Sequence, residues 1–322
     1  MNQDIYVVIE HIRGQVTDIT YLMMAAARGI TQVTGGNVVG ALLGHNAQSL
    51  ADKLAADRVI YIDHPALVEF TSEAYQKAIC HLISSDPPRA VLFGHTTIGM
   101  DIAGMVSIRM NLPVVSQCQS FSAEAGTLKF ISQICGGKIM AQGNLPDPTA
   151  LVTMVPGGYK PEHGQSDKAP AITQAAAPDL AGLRVSLKGY IEPEAGDVDI
   201  SRESLLIAVG RGIQNQDNII LAEDLAQAAG GVVCASRPVV DQGWLPTSRL
   251  VGKSGKVVKP KVYLAIGISG APEHVEAITS SDMIIAINTD PAAPIFNIAK
   301  YGIVGDLFDL VPALTDEIQR TK

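Results

Sequence analysis

Short aliphatic runs alternate with stretches of helical spacing along the whole chain, and the alternation restarts once. In the first half, residues 5–10, 37–43, 58–62 and 90–94 are apolar runs of strand length. Between them, residues 17–28, 47–56, 72–84 and 99–110 place apolar side chains at helical spacing. Gly29 is expected to end the first of these helices, Asp86-Pro87-Pro88 the third and Leu112-Pro113 the fourth. Such a rhythm predicts a parallel sheet with right-handed crossovers. After Pro113 the pattern changes to short strand-like pieces at residues 114–116, 129–133, 139–141 and 150–155, which are expected to complete that sheet in partly antiparallel fashion. Residues 157–180, rich in Gly, Pro, Ser and Ala, read as loop or linker. The acidic, extended stretch 190–201 reads as the crossing between domains.

From Leu205 the alternation begins again. Strands are predicted at residues 205–209, 232–235, 262–266, 283–287 and 303–304, and helices at 216–229, 272–279, 293–301 and 307–319. The pattern therefore predicts an α/β protein of two doubly wound domains. Residues 1–190 form a mostly parallel N-terminal domain, 191–204 a linker, and 205–322 a Rossmann-like C-terminal domain. A length of 322 residues suits two domains of roughly 100–200 residues each.

Composition narrows the function classes. With 47% hydrophobic and 17% charged residues, the chain is globular rather than disordered. A net charge of −8 disfavours sequence-independent nucleic-acid binding and a polybasic membrane patch. No run approaches the roughly 18 apolar residues of a membrane span. The first residues carry no basic stretch ahead of their apolar run, so they read as a strand rather than a leader. Cys80, Cys118, Cys135 and Cys234 are far apart, which argues against a zinc or disulfide scaffold and fits a reducing cytoplasm. Each is expected to be a buried small apolar residue. The seven histidines form no HxxxH or HxH pair, so no metal site is expected.

The strand-to-helix turns of the second half hold the richest candidate chemistry. The turn Gly210-Arg211-Gly212-Ile213-Gln214-Asn215 opens like GxGxxG, but Asn215 stands at the third glycine. The next strand closes on Ala235-Ser236-Arg237, where an NAD site wants an acidic residue for the ribose. A tight glycine turn is the plainer reading. The second turn, Gly267-Ile268-Ser269-Gly270-Ala271-Pro272-Glu273-His274, is richer. Pro272 suits a first helical position, glycines allow close backbone approach, and Ser269 with free amides could hold an anion. His274, one turn in, is expected over the same mouth; a βα loop with a capping serine is the alternative. Asn288 could bond phosphate or ribityl oxygens and Asp306 ribose hydroxyls, against their ordinary use as turn and cap residues. The segment Leu250-Val251-Gly252-Lys253-Ser254-Gly255-Lys256 lacks the GxxxxGK[ST] spacing of nucleotide hydrolases. Ser236-Arg237, Lys253-Ser254-Gly255, Ser269-Gly270, Asn288 and Asp306 fall at one sheet edge, which suggests an extended dinucleotide with a pyrophosphate and a polar ring system.

Residues 207–312 closely resemble the C-terminal domain of the electron transfer flavoprotein alpha-subunit family. The resemblance is carried by VGRGI, AEDLA, CASRP with VVDQGWLP, VGKSGKVVKP, YLAIGISGAPEH, IIAINTDPAAPIF and YGIVGDLFDLVP, in the family's order and spacing. Residues 1–156 match more loosely, through their βα order and residues 95–110. The resemblance implies an FAD-carrying subunit paired with a beta subunit through the N-terminal domain, the FAD domain being able to swing. It implies electron uptake from a flavin-containing dehydrogenase, of acyl-CoA type or other, and delivery to a quinone oxidoreductase or similar acceptor. It further implies that Arg237, Ser254 and His274 tune the flavin: Arg237 against the ring favouring its negatively charged reduced forms, Ser254 near N5, His274 near the C2 carbonyl. Ser269, Gly270 and Asn288 would contact the ribityl and phosphate portion, and Asp306 and Leu307 the adenosine end. Arg211, Ser236, Leu250, Lys253, Gly255, Gly267 and Glu273 complete the implied contact set.

The chain departs from the family pattern at two flavin-proximal positions. The family often reads QVGQTG and SGAIQH where this chain has Lys253 and Glu273 in place of glutamine. Their opposite charges predict an ion pair with each other. Three other readings stand beside the carrier. A nicotinamide-dependent dehydrogenase needs an acid where Arg237 stands. An adenine-binding module without redox chemistry would leave Arg237, Ser254 and His274 idle. A member that bifurcates electrons from NADH would hold its second FAD mostly in the beta subunit.

Overall fold

The computed structural model describes residues 2–124, 127–135, 139–190 and 198–321. They form two compact units, Met1–Gly189 and Tyr190–Lys322.

In the first unit, β1 (Ile5–Val8), β2 (His11–Ile12) and β3 (Gln15–Val16) precede α1 (Asp18–Thr34). There follow β4 (Val38–Gly44), β5 (Arg58–Asp63), α2 (Ser72–Ser85), β6 (Ala90–Gly94) and α3 (Thr97–Met110). β7 (Val114–Glu124), β8 (Thr127–Ile134), β9 (Ile139–Asn144), β10 (Ala150–Met154) and β11 (Ala171–Ala175) complete it. The nine-stranded sheet runs β11-β5-β4-β1-β6-β10-β7-β8-β9. Pairing is parallel from β11 to β7 and antiparallel through β8 and β9. Apolar cores cover both faces, one built on Met23, Met24 and Leu42, the other on Tyr6, Leu43 and Phe93.

Several expectations are corrected here. Helix α1 passes through Gly29 and ends at Gly35, whose φ of +81° forms the left-handed cap. Burial of Ile30 and Thr31 in the extra turn outweighs a glycine's cost of about 1 kcal/mol in a helix. The expected helix 47–56 is one 3-10 turn, Gln48–Ala51, because Ala55 donates to the Gly164 carbonyl and Lys53 accepts from Ser166, pulling the backbone out of helical register. Residues 157–180 contain β11, which pairs with β5 at the sheet edge. Residues 9–16 hold the β2–β3 hairpin rather than a continued strand. Cys118 and Cys234 are buried and Cys80 partly so, but Cys135 is exposed, in the turn that ends β8.

The second unit is a parallel five-stranded sheet ordered β13-β12-β14-β15-β16. Its elements are β12 (Leu205–Val209), α4 (Ile219–Ala229), β13 (Val232–Ala235), α5 (Arg237–Asp241), β14 (Val262–Ile266), α6 (Pro272–Val275), β15 (Ile284–Asn288), β16 (Tyr301–Val304) and α7 (Leu307–Thr321). The chain goes from β12 outward to β13, then returns to β14 on the other side. The switch point therefore lies between β12 and β14, where open α/β sheets bind ligands beyond the strand C-termini. Two apolar layers sandwich the sheet, one around Leu206, Tyr263 and Ile278, the other around Ile207, Ile266 and Val311. The expected helix 293–301 is a single 3-10 turn, Pro294–Asn297, and the helix from Pro272 stops at Val275. Of the expected linker, residues 191–197 lie outside the described residues, while Ile200 is buried in the second unit's core.

Candidate functional site

The floor of the mouth at the switch point is made of backbone. The amide of Gly210 donates to the Ile266 carbonyl at 2.9 Å and that of Gly212 to the Gly267 carbonyl at 3.1 Å. A Cβ on Gly210 would sit 2.1 Å from the Gly267 oxygen, and Gly267 itself has φ +65°. The glycines of the first turn thus let two loops lie backbone on backbone. Beyond Gly267, the amides of residues 268–271 donate to no other backbone carbonyl among the described residues. Four successive amides after the C-terminal end of β14 are thus left without a backbone acceptor.

The flanking side chains brace this row. Asn288 Nδ2 donates to the Ile268 carbonyl at 2.9 Å, and its Oδ1 accepts the Asp290 amide at 2.9 Å. Asp306 accepts the Phe308 amide at 2.9 Å and so caps α7. Both residues therefore do the ordinary turn and cap work, and each keeps further polar capacity at the edge. Leu307 is buried against Gly267, Ser269 is exposed, and Arg211 is exposed in the turn after β12.

The rim is charged. Ser236 is buried just ahead of α5, with its amide on the Val209 carbonyl at 3.0 Å. Arg237 Nε and Nη2 both donate to Ser254 Oγ, at 3.2 and 2.6 Å, and its Nη1 lies 3.7 Å from Asp241. Its side chain is still 58% exposed, so a permanent cation stands at the mouth. The loop 250–256 that supplies Ser254 is tied down on two sides. Val251 donates to the Ala235 carbonyl at 2.9 Å, and Lys253 donates its amide to the Glu273 carbonyl at 2.8 Å. Buried Leu250 and exposed Gly255 close the loop on itself; a Cβ on Gly255 would meet the Leu250 oxygen at 2.4 Å. Lys256 Nζ reaches Asp199 at 2.7 Å, and the hydrogen bonds from Lys256 and Ser201 hold that carboxyl down at about 2.

Two expectations are corrected. Lys253 does not pair with Glu273: its ammonium lies 3.8 Å from Glu276. The backbone bond to Glu273 fixes where the lysine starts, and its side chain reaches one helical turn further. His274 does not stand over the mouth. It is buried, with Nε2 at 2.8 Å from the Tyr263 hydroxyl and Nδ1 at 3.1 Å from the Val251 carbonyl. Burial pushes its pKa down to about 4, the bond to Val251 only partly opposing, so the ring is neutral at pH 7.

The structure thus brings together Arg237 with Ser254, and Gly210 and Gly212 with Gly267, while His274 is turned inward. Asp241, Glu276 and Tyr263 escaped the sequence reading. Asp241 was signalled by its i+4 spacing from Arg237. Tyr263 was signalled as the one hydroxyl in an aliphatic strand, since a buried phenol needs a partner.

A parallel sheet with its mouth at the switch point, a row of free amides and a cation at the rim defines a nucleotide-cofactor domain of the doubly wound class. An exposed cation beside a hydroxyl suits a ring that gains negative charge, and the amide floor suits a pyrophosphate, so the residues present fit FAD. The family described as "Electron transfer flavoprotein domain" matches residues 5–180, and "Electron transfer flavoprotein FAD-binding domain" matches residues 199–279. The electron transfer flavoprotein subunit alpha of Bacillus subtilis is 33% identical over 318 residues, covering 98% of this chain and 97% of that one. The subunit alpha of Thermoanaerobacterium thermosaccharolyticum is 34% identical over 326 residues, covering 99% of each. The acryloyl-CoA reductase electron transfer subunit beta of Anaerotignum propionicum is 34% identical over 354 residues, covering 99% of this chain and 96% of that one. The chain belongs to the electron transfer flavoprotein alpha-subunit family, and as such it carries FAD and transfers electrons. No helix among the described residues is long and apolar enough to cross a membrane.

Proposed function

We propose that FAD lies along the C-terminal edge of the second unit's sheet with its isoalloxazine ring against Arg237 and Ser254. FAD supplies the redox chemistry. The residues of the chain bind it, orient it and bias its charge. The observation that carries this reading is the Arg237 guanidinium, fixed by two hydrogen bonds to Ser254 yet open to the mouth. A cation so placed favours reduction, which adds negative charge, and the Ser254 hydroxyl aims it. The free amides of residues 268–271 would receive the pyrophosphate, with Ser269 and Asn288 beside them and Asp306 toward the adenosine. Arg237 also stands where a nicotinamide site needs an acid, which disfavours a dehydrogenase.

The chain works as the alpha subunit of a heterodimer in the cytoplasm. The relative named as an electron transfer subunit of acryloyl-CoA reductase supports an acyl-CoA-type enzyme as redox partner, and a flavin-containing dehydrogenase of that or another type is the donor. A quinone oxidoreductase or similar protein is the acceptor. Arg237→Ala in the heterodimer tests the placement. Loss of a unit charge beside the ring, worth about 1 kcal/mol or more, should lower the flavin potential by about 40 mV or more per electron, with FAD retained. An unchanged potential would remove Arg237 from the ring.

A further inference from the structure

The buried histidine belongs to a one-way chain of hydrogen bonds that ends at the flavin loop. The Val251 carbonyl can only accept, so the 3.1 Å contact places a proton on His274 Nδ1. In the neutral ring Nε2 is then a bare acceptor, and the Tyr263 hydroxyl, 2.8 Å away, must donate to it. Tyr263 is wholly buried. Donation thus runs from Tyr263 to His274 to the Val251 carbonyl, each polar hydrogen used once. The Val251 amide continues the line to Ala235, at the end of the strand that leads into Arg237.

We propose that Tyr263 is a positioning residue of the flavin site: its hydroxyl fixes the His274 tautomer, and the imidazole then locks loop 250–256, with Ser254, against Arg237. The proposal rests on the placement of the flavin ring at Arg237 and Ser254. Its content is that His274 acts from below as a neutral brace, not as a cation at the flavin. Replacing Tyr263 by Phe leaves Nε2 buried and unpaired, which a buried acceptor does not tolerate freely. The ring can then exchange tautomers, and the Val251 anchor is lost for part of the time.

Nitrogen-15 NMR of histidine-labelled protein, FAD-free and as the FAD-loaded heterodimer, reads the tautomer directly. His274 is expected with its proton on Nδ1 in both; a proton on Nε2, or a ring titrating near its ordinary value, overturns the proposal whether or not any variant folds. In Tyr263→Phe, the His274 nitrogens are expected to move toward a tautomer average, with FAD binding about tenfold weaker and the flavin potential shifted. Arg237→Ala, measured alongside, separates the two levels. If it changes the potential and Tyr263→Phe changes nothing, the positioning role alone fails. If Arg237→Ala leaves both affinity and potential unchanged, the placement of the ring fails.

Discussion

A histidine with both nitrogens bonded inside an apolar layer reports on pH by refusing the proton. The folded-state pKa of His274 is depressed to about 4 from an ordinary 6.5, so the unfolded chain binds a proton first as pH falls. Its contribution is therefore fully present above about pH 6.5 and is lost as pH falls from there toward 4. The size is about 3 kcal/mol at full protonation of the unfolded form. Denaturant unfolding of the second unit at pH 7 and pH 4.5 should show most of that loss, and His274→Asn should flatten the difference. An equal loss in the variant would assign it to other groups. Sequence reasoning found His274 but not its direction. One turn into a short helix, the side chain can face mouth or core, and only the Tyr263 hydroxyl on the neighbouring strand decides between them. Arg237 and Ser254 were legible because each ends a strand or punctuates a glycine loop. Lys253 was legible as a charge but not in its pairing, since Glu273 and Glu276 lie one turn apart and only the backbone bond at Glu273 selects the latter.

Among elements, the strands at Leu205–Val209, Val232–Ala235 and Val262–Ile266 coincide with their aliphatic runs, because a strand buried on both faces writes itself as unbroken hydrophobicity. β11 left no such trace. It is an edge strand with no fully buried side chain, so its Pro-flanked sequence looked like loop. The short helices were overextended from sequence because proline and alanine permit a turn without saying when it stops. Glycines separate in the same way by what they touch. Gly210 has φ −102°, open to any residue, so Gly210→Ala is opposed by its clash with the Gly267 carbonyl and the Ile268 Cα and should destabilise by about 3 kcal/mol through overpacking. Gly104, exposed within α3 with open space at its Cβ position, should gain about 1 kcal/mol on replacement by Ala. Thermal or denaturant unfolding of the two variants checks both signs, and a tolerated Gly210→Ala would contradict the stacked-loop geometry.

Across the molecule, each unit has its own switch point. In the first, between β1 and β6, the chain's own Glu10 accepts the Thr96 hydroxyl at 2.6 Å beside the start of α3. Burial raises its pKa, opposed by hydrogen bonds from Thr96 and Thr17, so this group makes the first unit more stable as pH falls, opposite in sign to His274. FAD should therefore stabilise only the second unit. Calorimetry of the chain with FAD at about a hundred times its dissociation constant should raise one transition by about 2.7 kcal/mol and leave the other in place. Two transitions shifting together would mean that the units unfold as one.

The stacked loops at Gly210, Gly212 and Gly267 carry one more implication, which concerns how such a protein can change over evolutionary time. A floor built of amides on glycines that admit no Cβ offers no side chain to retune, so substitution there disrupts cofactor binding rather than adjusting it. The rim is the reverse: Lys253, Glu273 and Glu276 are side chains on the surface, free to vary in charge. Holding the cofactor and setting its electron affinity are thus inherited separately, and a lineage can be retuned for a new redox partner without first losing its flavin.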